Sequence, residues 1–390
     1  MTDEFFRIGL LPPYVFAEVE EMKAKARAAG RDVIDFGLGN PDGAAPAPIV
    51  DRLIEAARDG RNHRYQPSKG LPETRAAIAG WYARRFGVSL DAEREAVATI
   101  GSKEGIAHLL LAIVGPGDAV VVPGPTYPVH HFGVIIAGGE PVPYGIGPGR
   151  DHLEEISKAI RRAPRKPKGL IVCFPHNPTS ACEERGFFEK VVGLAREHGL
   201  WLISDLAYAD LTFDGFRAPS LLEIPGAKEV GVEFFTCSKS FNMPGFRIGF
   251  CVGNARLCGA LARIKTYLDY GIFAPIQAAA VKALAADSDA EVAKIREIYR
   301  KRRDVLCAGL ARAGWKVDPP RATMFVWARI PERFGMTSMA FSKWLLEKAD
   351  VSVAPGEGFG SGGEAFVRLA LIEDEARCEE AARRIGKALG

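Results

Sequence analysis

The residues best equipped for covalent chemistry lie in one segment, Thr236-Cys237-Ser238-Lys239-Ser240, with Arg247 eight positions beyond the lysine. An amine set in apolar chain has its pKa lowered by desolvation and becomes a usable nucleophile. Hydroxyls and a guanidinium beside it suit a phosphate group. Two further sets stand out: Asn177, in Phe174-Pro175-His176-Asn177-Pro178-Thr179, and Asp205, with Tyr208 three residues on. Each fragment alone has an ordinary reading. A lone lysine is mostly a surface residue, and an aspartate after a strand mostly caps a helix or turn. Asn-Pro is a common turn pair, and Arg247 by itself would serve a surface ion pair. Their order and shared context carry the argument.

Strands must position these groups. Ala119 to Pro123, Gly169 to Phe174, Leu200 to Ser204, Gly231 to Thr236 and Ile248 to Val252 read as buried strands of near-continuous apolar character. A helical pattern from about Glu183 to His198, stopped by Gly199, separates two of them. The pattern predicts an α/β fold with a parallel or mostly parallel sheet covered on both faces. A right-handed crossover makes the strands before Asn177 and Asp205 parallel. Both side chains then fall at the carboxyl edge of the sheet, where such folds bind ligands. An amine, a phosphate site, a carboxylate and a phenol gathered there are the groups that a pyridoxal phosphate (PLP) cofactor requires.

The remaining chain reads as a smaller α+β unit. One long helix or two run from about Ile276 to Ala313. A strand over Thr323 to Arg329, a helix over Ser338 to Ala349, a strand over Ala365 to Ala370 and a last helix follow. The expected division is a large cofactor-binding domain over 45–285 and a small domain made of 1–44 with 286–390.

Composition excludes several classes. A net charge of +3 argues for neither nucleic acid nor a membrane surface. The basic run Arg161, Arg162, Arg165, Lys166, Lys168 is broken by Pro164 and Pro167 and reads as a solvated loop. Seven scattered cysteines without a C-x-x-C pair argue against a disulfide framework and a zinc site, so no metal is expected. The start Met1-Thr2-Asp3-Glu4 is acidic, no signal peptide is predicted, and the cytoplasm is the expected location. Gly37-x-Gly39 lacks the third glycine of a dinucleotide fingerprint, and no phosphate-loop motif is present.

Taken together, Asn177-Pro178-Thr179, Asp205-x-x-Tyr208 and Ser238-Lys239 through Gly249 resemble the class I and II aminotransferases of PLP fold type I. The resemblance spans essentially the whole chain, from Gly37-Leu38-Gly39-Asn40-Pro41-Asp42 to Arg368. It implies that Lys239 holds PLP as a Schiff base and then moves the proton between substrate Cα and cofactor C4′. It implies that Asp205 pairs with the ring nitrogen and that Asn177 and Tyr208 bond the ring O3′. Tyr127 would stack on the ring face. Gly101-Ser102-Lys103-Glu104-Gly105 would form a phosphate cup at a helix N-terminus, completed by Thr236, Ser238 and Arg247. Tyr65 matches a tyrosine that reaches the partner subunit's phosphate, which implies an obligate homodimer with shared sites. Arg368 and Gly39 would hold the substrate α-carboxylate. Phe246 stands where many relatives carry Trp, and Ser180 where many carry Gly or Ala. Little effect is expected from either.

Within that family the chain most resembles the branch of alanine (glutamate–pyruvate) and LL-diaminopimelate aminotransferases. Tyr14, Lys103 and Tyr127 fall where that branch contacts substrate. Lys103 would receive a distal carboxylate or merely cap the phosphate cup. Tyr270 stands where the diaminopimelate enzymes carry an asparagine. The expected reaction moves an amino group from alanine or glutamate to 2-oxoglutarate or pyruvate. The alternatives are LL-diaminopimelate or aspartate as donor, a PLP-dependent C–S lyase, or a non-enzymatic PLP-binding regulator. For the last, no room for a DNA-binding domain is seen before Gly37.

Overall fold

The computed structural model describes residues 5–390, so the acidic start Met1 to Glu4 lies outside the described residues. Eleven strands form two sheets: β1 (Ile34–Phe36), β2 (Ala96–Thr99), β3 (Ala119–Gly124), β4 (Glu140–Gly145), β5 (Gly169–Cys173), β6 (Trp201–Asp205), β7 (Gly231–Thr236), β8 (Gly249–Gly253), β9 (Phe325–Arg329), β10 (Val351–Pro355) and β11 (Phe366–Ala370). The larger sheet runs β2-β8-β7-β6-β5-β3-β4. Its pairs from β7 through β4 are parallel, and β8 is antiparallel to both neighbours. The α/β architecture with a mostly parallel sheet is the one expected.

Two strands of this sheet escaped the sequence pattern, for physical reasons. β4 reads Glu-Pro-Val-Pro-Tyr-Gly, and prolines, which cannot donate to a ladder, demote a run. It lies at the sheet's edge, where such a strand is tolerated. β2 has only four residues and holds the opposite edge against β8. β8 differs in direction because the connection from β7, residues 237–248 with Lys239 on it, forms only two short helical turns and no helix long enough to cross back over the sheet. A parallel return needs a crossover of a dozen residues or more, usually a helix.

The second sheet runs β1-β10-β11-β9. β1 pairs parallel with β10 through Ile34 opposite Val351, which brings the first strand of the chain against its last quarter. The helical stretch near 276–313 is two helices, Ala274–Ala283 and Asp289–Arg312. The helix after β5 starts at Arg185 and ends at His198, with Gly199 left-handed at φ 62°. Apolar side chains cover both faces of the larger sheet, and a separate cluster packs the second. No helix among the described residues is long and apolar enough to cross a membrane.

One buried carboxyl joins the two central strands. Glu233 of β7 takes hydrogen bonds from the Ser204 hydroxyl of β6 at 2.9 Å, the Tyr82 hydroxyl at 3.0 Å, the Leu221 N–H at 2.8 Å and the Ser220 hydroxyl. Burial raises its pKa from 4.5 to about 7, against the lowering effect of those four bonds. The folded chain therefore binds this proton more tightly than the unfolded chain. Its contribution to stability is largest below pH 4.5 and falls as the pH rises to about 7. Glu233→Gln cannot titrate. Urea titrations from pH 4.5 to 8 should show the stability difference shifting in the variant's favour up to about pH 7, then becoming flat.

Candidate active site

Between the two sheets lies a cleft of about 270 Å³. Tyr14, Gly39, Ser102, Lys103, Tyr127, Asn177, Asp205, Tyr208, Thr236, Ser238, Lys239, Arg247 and Arg368 all line it. The sequence singled out each of these. Tyr65 does not reach the cleft of its own chain. It is 90% exposed, packs against Tyr270 at a centroid distance of 5.4 Å, and borders a separate groove with His63 and Gly271.

Lys239 is delivered by the end of β7. Thr236 closes that strand, and its hydroxyl accepts the Ser238 N–H at 3.2 Å, which starts the helical turn carrying the lysine. The Lys239 ammonium donates to the Gly39 carbonyl at 2.6 Å. Burial, then the charges of Arg368 and Arg247, pull its pKa down from 10.5 to about 7. A large share of free amine is therefore present at neutral pH.

Asp205 ends β6 and meets His130, whose Nε2 lies 3.0 Å from the carboxylate. The Nδ1 of His130 lies 2.7 Å from the Thr126 hydroxyl. His130 is fully buried and holds the carboxylate from behind. Sequence reasoning missed it. Its signal was its place three residues after Tyr127, in the first turn of an apolar helix that faces the sheet.

Arg368, on β11, is buried between the rings of Phe325 and Phe359, 4.1 and 4.7 Å from their centroids. It donates to the Asn177 side-chain oxygen at 2.9 Å and to the Gly37 carbonyl at 3.1 Å. Its Nε has no partner. Burial lowers its pKa to about 10, so it remains a cation at neutral pH. A buried guanidinium with donors to spare suits a carboxylate. The two phenylalanines were not anticipated, because they contribute ring faces rather than reactive atoms.

An anion cradle forms where the helix Gly101–Ile113 begins beside Arg247. Gly101 is left-handed at φ 76°, and a Cβ there would stand 2.6 Å from the Arg247 guanidinium. A Cβ on Gly249 would stand 2.9 Å from the Ser102 nitrogen. The cradle is therefore backbone brought close, with unpaired N–H groups and the positive end of a helix dipole. Lys103 stands over the Tyr127 ring at 5.5 Å. Its pKa is lowered by burial and then by Arg247. Burial pushes the Tyr127 phenol up to about 12 and that of Tyr208 well above its ordinary value, so both stay neutral. A free amine, an anion cradle, a braced carboxylate and a spare guanidinium fit PLP and an amino acid together.

A family model described as aminotransferase class I and II matches residues 31–385. The chain is 51% identical to the glutamate-pyruvate aminotransferase AlaC of Escherichia coli K12, over 98% of this chain and 92% of that protein. It is 43% identical to the LL-diaminopimelate aminotransferase of Moorella thermoacetica, over 98% of each. Among solved structures, an aspartate aminotransferase single mutant from Thermus thermophilus superposes with a TM-score of 0.92 over 100% of both chains, at 29% identity.

The environment of Lys239 can be tested without any cofactor. Reductive methylation of the cofactor-free protein, followed by peptide mass spectrometry, should show Lys239 reacting with a midpoint at about pH 7. In Arg368→Met the midpoint should rise, because one of the two cations that expel the proton is gone. A midpoint near the ordinary 10.5 would refute this account of the amine.

Proposed function

Because the chain belongs to the class I and II aminotransferase family, we propose that it transfers the amino group of alanine or glutamate to pyruvate or 2-oxoglutarate, in two half-reactions sharing one cleft. It is an aminotransferase, and the family to which it belongs uses PLP. The observation that carries the proposal is the meeting of Lys239, Asp205 and Arg368 in one desolvated cleft.

The chemistry that PLP would supply when bound is an electron-withdrawing ring that acidifies the substrate Cα–H. Lys239 Nζ would hold it covalently, and its amine, once free, would take the proton from the substrate Cα. Asp205, braced by His130, would face the ring nitrogen and favour its protonated form. Asn177 and Tyr208 would donate to O3′, and Tyr127 would cover one face of the ring. Ser102, Thr236, Ser238, Arg247 and the backbone at Lys103 would hold the phosphate. Arg368, Asn177 and the backbone at Gly39 would hold the α-carboxylate, with Tyr14 at the cleft wall.

The substrate proposal rests on two supports. Identity to the glutamate–pyruvate enzyme, 51%, exceeds the 43% to the diaminopimelate enzyme. Lys103 also lines the cleft, and its side chain would suit the second carboxylate of glutamate. We further propose a homodimer in which Tyr65 of each chain completes its partner's phosphate site. Tyr65 is 90% exposed, packs against Tyr270 and shares a groove with Phe273, an aromatic patch that asks for cover, and Phe5, Phe6 and Tyr267 are at least 75% exposed as well. Residues 45–285 would form the large domain, and 1–44 with 286–390 the small one. The free cysteines fit the reducing cytoplasm.

A half-reaction screen on PLP-loaded protein tests the activity. Alanine and glutamate should convert the cofactor to its amine form, and pyruvate and 2-oxoglutarate should reverse it. Conversion by LL-diaminopimelate or aspartate alone would keep the chemistry and overturn the substrate. Borohydride reduction should fix the cofactor mass on the Lys239 peptide and nowhere else. Arg368→Ala should raise KM about 10- to 100-fold for amino acid and oxo acid alike, the range of a lost charged hydrogen bond. An unchanged KM for either would remove Arg368 from the carboxylate site.

A further inference from the structure

Three buried residues outside the cleft lining adopt a backbone conformation that L-residues avoid; one is Asn242, φ 50°, a residue type that tolerates it. Ser180 has φ 57° and Thr323 has φ 74°. For a β-branched residue such as Thr323 this is a pronounced outlier. Glycine would accept either position without strain. What serine and threonine offer there, and glycine does not, is a hydroxyl.

Those hydroxyls close a ring. The Phe325 N–H donates to the Thr323 hydroxyl oxygen at 3.1 Å, and the Ser180 hydroxyl donates to the Phe325 carbonyl at 2.9 Å. The two hydroxyls are 2.7 Å apart. The Ser180 proton is already committed, so Thr323 donates to Ser180, and every donor in the ring has one acceptor. The ring joins the loop after β5, which carries Asn177, to the start of β9, which carries Phe325.

Phe325 is the residue that this ring places. Its ring lies 4.1 Å from the Arg368 guanidinium carbon and edge-on to Tyr208 at 5.5 Å. It also fills the space where a Cβ on Gly39 would sit, 2.7 Å away. Asn177, three residues before Ser180, accepts from the same Arg368 at 2.9 Å. Two of the arginine's four supports thus hang on one pin.

We propose that Ser180 and Thr323 are positioning residues for substrate recognition, holding Phe325 and the Asn177 loop so that Arg368 meets the substrate α-carboxylate. The proposal rests on the carboxylate role given to Arg368 above. The strained backbone is retained because the hydroxyls set that geometry.

Ser180→Gly separates positioning from stability. It relieves the strain and removes the hydroxyl, so the melting temperature should hold or rise while recognition weakens. In PLP-loaded protein the Kd for glutarate, an unreactive dicarboxylate, should weaken about three- to tenfold by calorimetry. KM for amino acid and oxo acid should rise by the same factor, with kcat within about twofold. Thr323→Val should act likewise, and Thr323→Ser, which keeps the hydroxyl, should restore wild-type values. Ser180→Gly and Thr323→Val that bind glutarate as wild type does, while the wild type transaminates, would overturn the pin alone. Wild-type protein that reacts with no amino acid would overturn the reading of the cleft, and the pin with it.

Discussion

A desolvated lysine amine within the field of two guanidinium groups sets the terms for this structure. In water the amine of Lys239 would hold its proton to about pH 10.5. Here burial and the charges of Arg368 and Arg247 bring it to about 7. Such an arrangement is unfavourable unless other contacts hold it in place. The Gly39 carbonyl takes the lysine's hydrogen bond. Asn177 and the Gly37 carbonyl take those of Arg368, and two aromatic faces cover its cation. Asp205 supplies a carboxylate in the same cleft, fixed by His130 and Thr126.

These supports come from both sheets. β6 and β7 bring Asp205 and Lys239 to one edge, and Glu233 joins the two strands through Ser204. β11 brings Arg368 from the other side. The segment Gly37 to Asp42 runs over the cleft between them. Arg302 holds its far end by a two-pronged pair with Asp42 at 2.7 and 2.8 Å. Gly39 lies against Phe325 with no space for a side chain, which is why glycine is needed there. A shift in either sheet would therefore disturb the amine and the guanidinium together.

Legibility followed chemistry. Lys239, Asp205, Asn177, Arg247 and Arg368 were readable because each is a polar residue set against an apolar strand. The strands β3, β5, β6, β7 and β8 were readable because burial on both faces makes them near-continuous apolar runs. β1, with three residues, and β4, with two prolines, left no such trace. β10 follows its helix through a single left-handed residue, Asp350 at φ 54°, with no turn signal such as Gly or Pro to announce it. His130, Phe325 and Phe359 left none either, since a buried histidine or phenylalanine looks like any other core residue.

The sequence by itself determined the chemical inventory, the sheet that carries it and the family resemblance. All three are written in residue type and local spacing, and type and spacing survive without a fold. The tertiary structure alone decided that β1 pairs with β10 across more than three hundred residues, and that Arg368 faces Asn177. It alone decided that His130 lies behind Asp205 and that Tyr65 points away from its own cleft. Those facts depend on which distant surfaces bury one another, and burial is a property of the packed chain.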